Sequence, residues 1–140
     1  MTPLHYQTAT ALAKQIRGGK IGCLEILEIF LERATRHNPT LNAIIVLEEE
    51  KARTRAREAD AALAKGDIWG PLHGVPMTIK ESYNVAGLPT TNGRPDMKDN
   101  IAESDALAVE RLKAALDRLQ STSIATSIRQ LGARRRHRFS

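Results

Sequence analysis

Residues 73–93 read HGVPMTIKESYNVAGLPTTNG, and this stretch decides the fold that we expect. Its first half alternates apolar residues with other residues, and the apolar positions are Val75, Met77 and Ile79. A repeat of two residues is typical of a β-strand with one buried face. The second half contains glycine and proline at several positions, which predicts a long loop over residues 84–100. The apolar strand therefore ends in a lysine, Lys80, which shares the opposite face with Thr78.

A lysine at the end of an apolar strand has two interpretations. In the first, the aliphatic stem of Lys80 lies on apolar surface while the ammonium reaches water, as is common for lysine. In the second, Lys80 is catalytic, because desolvation lowers the pKa of a lysine and lets it accept a proton near neutral pH. Such a lysine can activate a serine hydroxyl, as in Ser-Lys hydrolases. The pattern of the residues leaves both interpretations open.

Two helices are predicted before this strand. Residues 8–17 carry apolar side chains on one face, and the Gly-Gly pair that follows predicts the end of the helix. Residues 23–37 show the i, i+3, i+4, i+7 spacing of an amphipathic helix. Asn38 and Pro39 predict the end of this second helix, because the residue before a proline avoids helical geometry.

The other segments continue the alternation of strand and helix. Residues 42–47 are short, β-branched and apolar, which predicts a buried strand. Residues 48–65 are rich in helix formers. Ser104 is the expected N-cap of a helix over about residues 105–119. The expected apolar face of that helix comprises Ala108, Leu112, Ala115 and Leu119. This alternation indicates an α/β layer arrangement.

The positive charge of the chain is confined to its C-terminus. Over all 140 residues the net charge is +5. Residues 1–117 hold 15 Lys and Arg against 16 Asp and Glu, a net charge of −1, whereas residues 118–140 hold 6 Arg and no acid. A neutral body with a basic tail indicates two segments of different origin or role. Aromatic residues make up 4% of the chain, which argues against a nucleic-acid platform that stacks bases.

Composition also limits the cofactors and the compartment. Cys23 is the one cysteine in the sequence, so neither an intrachain disulfide nor a cysteine metal cluster can form. It lies on the apolar face of a predicted helix, where we interpret it as a small buried hydrophobe. The histidines show no ligand spacing, and we expect neither a metal nor another cofactor. No apolar run suits a membrane span and no signal-peptide pattern is present, so we expect no membrane partner and a cytoplasmic location.

Residues 70–93, GPLHGVPMTIKESYNVAGLPTTNG, closely resemble the first conserved block of the amidase signature family. Two flanking segments also look like the N-terminal portion of that family and occur in the same order. These segments are RATRHNPTLNAIIVL at residues 33–47 and AESDALAVERLKAA at residues 102–115. The resemblance covers about residues 8–115.

The resemblance implies an α/β amidase signature fold, of which this chain carries the N-terminal helices and the first strands of a mixed sheet. It also implies a Ser–cis-Ser–Lys hydrolase that cleaves the amide bonds of small molecules. The family's G-x-P-x-x-x-K block corresponds here to Gly74, Pro76 and Lys80, so Lys80 takes the role of the base. In the family that base acts through a serine held in a cis peptide and so activates the nucleophilic serine. We expect His73, in the same block, to be structural.

The sequence departs from the family pattern in two places. Many members have Lys-Asp-Asn where Glu81 and Ser82 follow the lysine here, which favours a stand-alone amidase over an amidotransferase subunit. After residue 115 the family continues with glycine, a short apolar strand and later a Gly-Ser-Ser-Gly-Gly-rich loop that carries both serines. Here Leu116 replaces that glycine, and nothing after it matches the family.

Serines of the tail do not restore the missing loop. They lack glycine neighbours and lie too close in sequence to Lys80, so we interpret them as ordinary tail residues: Ser121, Ser123 and Ser127. The chain thus holds one triad member of three, and triad members act as a unit. We therefore divide the chain into residues 1–115, the N-terminal part of an amidase signature domain, and residues 116–140, a disordered basic tail outside the family pattern.

Three hypotheses of function follow from these observations. In the first, the chain is a piece of an amidase, truncated or frameshifted near codon 116, and inactive alone. In the second, the RRRHR run binds a polyanion by charge, although this run is short and no folded basic face supports it, so we do not favour a nucleic-acid partner. In the third, the chain pairs with a separately encoded C-terminal half that restores the site.

Overall fold

The computed structural model describes residues 2–116 and 127–128. Four α-helices lie in this part of the chain: α1 (Ala9–Arg17), α2 (Cys23–Leu41), α3 (Glu49–Ala64) and α4 (Leu107–Leu116). Three short strands accompany them: β1 (Ile44–Val46), β2 (Ile79–Lys80) and β3 (Ser127–Ile128). Two 3-10 turns lie at Leu4–Tyr6 and Pro95–Met97. None of the described helices is both long enough and apolar enough to cross a bilayer.

The three strands form one mixed sheet in the order β1-β3-β2. β3 runs antiparallel to β1 and parallel to β2, and Lys80 lies opposite Ile128. The connection from β2 to β3 therefore passes through α4, as parallel neighbours require a crossover. We expected the tail to be disordered, whereas Ser127–Ile128 form a strand. The rest of the tail from residue 117 onward lies outside the described residues.

The first two helices begin where the sequence predicts, but α2 ends later. The Thr8 hydroxyl accepts the Ala11 N–H at the start of α1. α2 does not stop at Asn38 and Pro39; it continues through Pro39 to Leu41. The Asn38 side chain explains the extension, because its oxygen accepts the N–H groups of Ala43 and Ile44, just after the helix, at 2.9 and 2.8 Å. The chain then leaves the helix through Asn42, which adopts left-handed geometry with φ of 47°.

The main hydrophobic core lies between α1, α2 and α3. Its fully buried members include Ile16, Ile26 and Leu27. α3 presents alanines to α2, which lets the two helices approach closely, and these alanines are Ala52, Ala56 and Ala59. α3 also holds the start of α2, because the Asp60 carboxylate accepts the N–H groups of Cys23 and Leu24 at 2.6 and 3.0 Å. This contact satisfies two N–H groups that lack partners within α2.

Two sequence predictions about burial are wrong. Residues 42–47 were expected to form a buried strand, yet Ile45 is 40% exposed and its neighbours in β1 are only half-buried. The expected apolar face of α4 is also wrong, because Ala108 and Leu112 are exposed. The buried stripe of α4 lies one residue further along and consists of Val109, Lys113 and Leu116. Because one residue of the buried face is a lysine, a pattern based on apolar residues alone does not predict this stripe.

The start of α4 also differs from the prediction. The helix begins at Leu107, and Ser104 is exposed and does not cap it. The Ala106 N–H instead donates to the Asn84 carbonyl at 2.9 Å. A carbonyl of the preceding loop therefore accepts a backbone N–H just before α4, where we expected the side chain of a local N-cap.

Residues 70–74 pass so close to the helices that two positions require glycine. A Cβ on Gly70 would lie 2.3 Å from the Ala115 carbonyl oxygen of α4. A Cβ on Gly74 would lie 2.2 Å from the Cys23 Sγ of α2, and Gly74 has a φ of +70°. Such contacts and a positive φ both exclude larger residues. The glycine of the G-x-P-x-x-x-K block is thus the point at which the strand segment meets the helical body.

Gly74→Ala should destabilise the protein more than Gly87→Ala. Gly87 has a φ of +79°, but nothing lies within 4 Å of the place that a Cβ would take, so its substitution adds backbone strain alone, about 1–2 kcal/mol. Gly74→Ala adds the overlap with Cys23, about 1–3 kcal/mol more. Urea denaturation of the two variants measures this difference. Equal losses in the two variants would contradict the close packing of Gly74 on α2.

Candidate active site

Lys80 is the last residue of β2, and its side chain is exposed. We expected a strand over residues 75–80, but only Ile79–Lys80 form ladder bonds. The apolar face is nevertheless present, since Val75 and Ile79 are each 6% exposed and Met77 is half-buried. The core therefore fixes the backbone that leads to Lys80 and leaves its ammonium on the open side.

The residue after Lys80 fastens the following loop. Glu81 is only 4% exposed, and its carboxylate accepts hydrogen bonds from both the N–H and the hydroxyl of Thr91. The Tyr83 N–H donates to the Lys80 carbonyl at 2.9 Å, which turns the chain directly after β2. These bonds hold both ends of residues 81–91 together. The position at which this chain departs from the Lys-Asp-Asn pattern therefore has a structural role.

The expected long loop over residues 84–100 is confirmed, and backbone bonds order it. It folds back on residues 100–102, where the Thr90 N–H donates to Asn100 at 2.9 Å and the Ala102 N–H donates to Leu88 at 3.0 Å. Val85 and Leu88 pack with Ile79 and Val109 in a second, smaller apolar cluster. A small pocket next to Lys80 is lined by Ile79, Glu81, Tyr83, Val85, Leu88 and Pro89. The loop thus forms one wall beside Lys80.

A buried ion pair connects this loop to α4. Lys113 donates to Asp105 at 2.7 Å, and the side chains are 5% and 14% exposed. Asp105 also accepts the Ala86 N–H at 2.8 Å, so one carboxylate joins the loop and the helix. Burial raises the pKa of Asp105, but the bonds from Lys113 and Ala86 outweigh burial, so the pKa lies below its usual value. Asp105 is ionised in the folded protein at neutral pH.

The other candidate residues of the sequence analysis have structural surroundings. His73 is fully buried; its Nδ1 accepts the Trp69 N–H at 3.1 Å, and its Nε2 lies 3.1 Å from the Ala59 carbonyl. Burial lowers the pKa of His73 despite that carbonyl. Cys23 is also fully buried, and burial together with Asp60 raises its pKa to about 12. The prediction that Cys23 is a small buried residue is confirmed, and the two hydrogen bonds of the buried His73 agree with a structural role.

The described residues bring Lys80 together with its loop but not with a nucleophile. Ser121 and Ser123 lie outside the described residues, and Ser127 is described through its backbone pairing with Ile79. Within residues 2–116, the Lys80 ammonium forms no hydrogen bond or ion pair. The described arrangement therefore offers a positioned amine next to a rigid loop, without a bound partner.

Sequence reasoning missed two interactions of this region. Nothing in the sequence links Glu81 with Thr91, since the loop alone brings them together. The pair formed by Asp105 and Lys113 did leave a signal. Lys113 falls at helical spacing between Val109 and Leu116, which predicts a buried lysine that requires an acidic partner.

Asp105→Asn should cost about 3 kcal/mol at neutral pH, because it leaves the buried Lys113 ammonium without its counter-charge. Since folding lowers the pKa of Asp105, the stability from its charge is present above the unfolded value of about 3.9 and is lost as pH falls through the folded value. The difference between wild type and variant should therefore stay constant from neutral pH down to about pH 5 and shrink only as pH falls below the unfolded value. Urea denaturation across this range measures it.

The double variant Asp105→Asn/Lys113→Met is the matched control for this prediction. Removing both charges leaves no unpaired ion, so it should cost far less than the single variant. A single variant as stable as the wild type at neutral pH would show that the pair does not join the loop to α4.

Comparison with known proteins identifies the family to which this chain is similar. The Amidase family model matches residues 25–115, which include both the helical body and Lys80. The chain is 40% identical over 112 residues to an acylamidase of Rhodococcus erythropolis, covering 80% of this chain and 24% of the relative. It is 44% identical over 113 residues to an indoleacetamide hydrolase of Bradyrhizobium diazoefficiens, covering 81% of this chain and 22% of the relative.

Solved structures agree with the sequence comparison. A structure of fatty acid amide hydrolase superposes with a TM-score of 0.75 at 27% identity, covering 92% of this chain and 22% of that chain. The chain thus spans about a quarter of the length of the proteins that it matches. Since the family model covers most of the chain and the fold agrees, this chain belongs to the amidase family.

Proposed function

We propose that this chain supplies the catalytic lysine of an enzyme that hydrolyses amide bonds of small molecules. The observation that carries the proposal is the position of Lys80. It ends the G-x-P-x-x-x-K block, within the segment that the family model matches, and its ammonium is exposed beside the ordered loop. The names of the relatives, an acylamidase and an indoleacetamide hydrolase, support small amides as the substrate class.

In the proposed mechanism Lys80 acts as the base of a Ser–cis-Ser–Lys triad. Its neutral amine accepts a proton from the serine of the cis peptide, which in turn accepts the proton of the nucleophilic serine. The nucleophilic oxygen attacks the amide carbonyl, and the amine or ammonia leaves with a proton. Water then hydrolyses the acyl-enzyme and releases the carboxylic acid. The matched G-x-P-x-x-x-K block contributes the first of these groups.

The 140-residue chain by itself is inactive in this proposal. General-base catalysis by lysine depends on desolvation, and Lys80 is exposed in the described structure. Both serines and the amides that stabilise the oxyanion belong to a Gly/Ser-rich loop that the sequence does not contain. Triad members fail when separated, so an isolated base gives no turnover. We further propose that the chain corresponds to a stand-alone amidase, because Glu81 and Ser82 follow the lysine.

A chimera tests the role of Lys80. Residues 25–115 of this chain replace the corresponding segment of the Rhodococcus erythropolis acylamidase, which supplies the rest of the fold. We expect the chimera to hydrolyse an acyl amide and Lys80→Ala to lower kcat by about a thousandfold or more, because one triad member is lost. Release of the free amine measures the rate.

Lys98→Ala is the control for this experiment, since Lys98 is exposed and only loosely paired with Asp99 at 4.0 Å. It should leave the rate unchanged. A Lys80→Ala chimera as active as its parent, or a folded parent chimera without activity, would overturn the proposed role.

The loss of resemblance to the family after residue 115 can be tested by sequencing the encoding DNA. If a frameshift near codon 116 replaced the family sequence, another forward frame downstream should resume with glycine after ERLKAA and reach a Gly-Ser-Ser-Gly-Gly-type loop. Sequencing from codon 105 to well past codon 140 and translating all three frames measures this. If no frame contains that loop, the frameshift proposal is wrong.

A second candidate function is the binding of a separate C-terminal half. The observation that favours it is apolar surface on elements of the family-matched segment, where Leu41 is 56% and Leu107 61% exposed. Polyanion binding through the basic tail stays a prediction, since RRRHR lies outside the described residues.

A further inference from the structure

The backbone that carries Lys80 is anchored by the residues on both sides of it. Ile79, the residue before the lysine, is 6% exposed and packs with Val85 and Val109 in the smaller apolar cluster. Glu81, the residue after it, is only 4% exposed although it is a carboxylic acid. Successive side chains of a strand point to opposite faces, and residues 79–81 follow this alternation as buried, exposed and buried. The direction of the Lys80 side chain therefore depends on both buried neighbours.

The buried Glu81 carboxylate depends on Thr91 for its hydrogen bonds. Glu81 Oε1 accepts the Thr91 N–H at 2.5 Å and also accepts the Thr91 hydroxyl. None of the ion pairs between described residues includes Glu81. A carboxylate that is buried without donors costs much free energy, so the Glu81 side chain stays buried because it holds Thr91.

Thr91 extends this anchor into the loop. Its hydroxyl also accepts the Gly93 N–H at 3.2 Å, and its carbonyl accepts the Arg94 N–H at 2.8 Å. The preceding residue, Thr90, is bonded to Asn100 in both directions, because its N–H donates to the Asn100 carbonyl and its own carbonyl accepts the Asn100 side-chain amide. One carboxylate thus joins the end of β2 to a turn of the loop that lies ten residues further along the chain.

The other contacts of β2 are few. The strand comprises only Ile79–Lys80 and pairs with β3 at two positions. Glu81 also lines the small pocket beside Lys80, together with Val85 and Leu88 of the loop, so the loop that Glu81 holds is the wall next to the lysine. A general base must lie within hydrogen-bond reach of the proton that it accepts. A displacement of about 1 Å can lower the rate by about a hundredfold.

We propose that Glu81 is a positioning residue for Lys80. Through its bonds to Thr91 it fixes the backbone directly after the lysine, and with it both the direction of the ammonium and the loop wall beside it. The proposal rests on the proposed function, since the position of Lys80 affects a rate only if Lys80 is the base. It adds a residue that takes no part in the proton transfer and acts through its neighbour in the chain.

Hydrogen exchange in the full 140-residue chain tests the contact itself, independently of any activity. In Glu81→Ala the Thr91 amide should exchange about tenfold faster or more, because its acceptor is gone. Glu81→Asp should have a similar effect because its carboxylate reaches less far, whereas Glu81→Gln should protect Thr91 because its carbonyl oxygen keeps the same reach. The Leu24 amide, which donates to Asp60 at the start of α2, is the control and should not change.

The chimera with the Rhodococcus erythropolis acylamidase tests the effect on Lys80. There Glu81→Ala should lower kcat by about ten- to a hundredfold with little change in KM, and Glu81→Gln should restore most of the rate. In a chimera that already carries Lys80→Ala, Glu81→Ala should lower the residual rate no further, because a positioning residue acts only through the group that it positions. A merely structural role would lower both rates by the same factor.

Three results overturn the proposal: exchange of the Thr91 amide that Glu81→Ala leaves unchanged, a kcat that it leaves unchanged, or an equal loss of rate in the Lys80→Ala background. A folded parent chimera without activity overturns the proposed function and with it the positioning role, whereas exchange of the Thr91 amide still shows whether the contact forms. Activity that Lys80→Ala abolishes and Glu81→Ala does not change leaves the role of Lys80 standing and removes only that of Glu81.

Discussion

The close passage of residues 70–74 over the helices is the constraint on which the position of Lys80 depends. Gly74 lies against Cys23 of α2, and Gly70 lies against the Ala115 carbonyl of α4, so neither position accepts a Cβ. Between them His73 is held from both ring nitrogens, by the Trp69 N–H and by the Ala59 carbonyl of α3. Three helices thus fix a five-residue segment, and β2 begins five residues after Gly74. A strand of only two residues could not hold its own position through ladder bonds.

Charged side chains stabilise the packing of the helices and the loop where few apolar side chains are in contact. Asp60 of α3 accepts two N–H groups at the start of α2 and so orients the helix that carries Cys23. On the other side, Asp105 binds both Lys113 of α4 and the Ala86 N–H of the loop. Removing either carboxylate would leave N–H groups or an ammonium without partners, which costs more than the bonds themselves contribute. Hydrogen bonds to Asp105 therefore fasten the loop beside Lys80 to α4 although its apolar cluster is small.

The sequence predicted helices better than their ends or their buried faces. α1 follows its pattern because its Thr8 cap and its apolar periodicity agree, and α3 follows the helix propensity of its residues. α2 continues through Pro39 because the Asn38 side chain satisfies the backbone beyond it, an interaction that no local pattern contains. The buried face of α4 was misplaced because Lys113 forms an ion pair with Asp105 and is buried together with it. In both cases a single polar side chain overrode the local pattern.

The same reasoning applies to the candidate site. The sequence predicts where Lys80 lies, because the alternation of the apolar strand face is a local property of the residues before it. Its exposure could not be predicted, since exposure depends on what lies over the end of β2 rather than on Lys80 itself. General-base chemistry at a lysine needs water to be excluded, and Lys80 is exposed although the loop lines a small pocket beside it. The position of the proposed base is thus set by this chain, whereas its reactivity depends on the exclusion of water from its ammonium. A fold can therefore be recognised from a segment that spans about a quarter of its relatives' length, whereas the exposure of a single side chain has to be read from the structure.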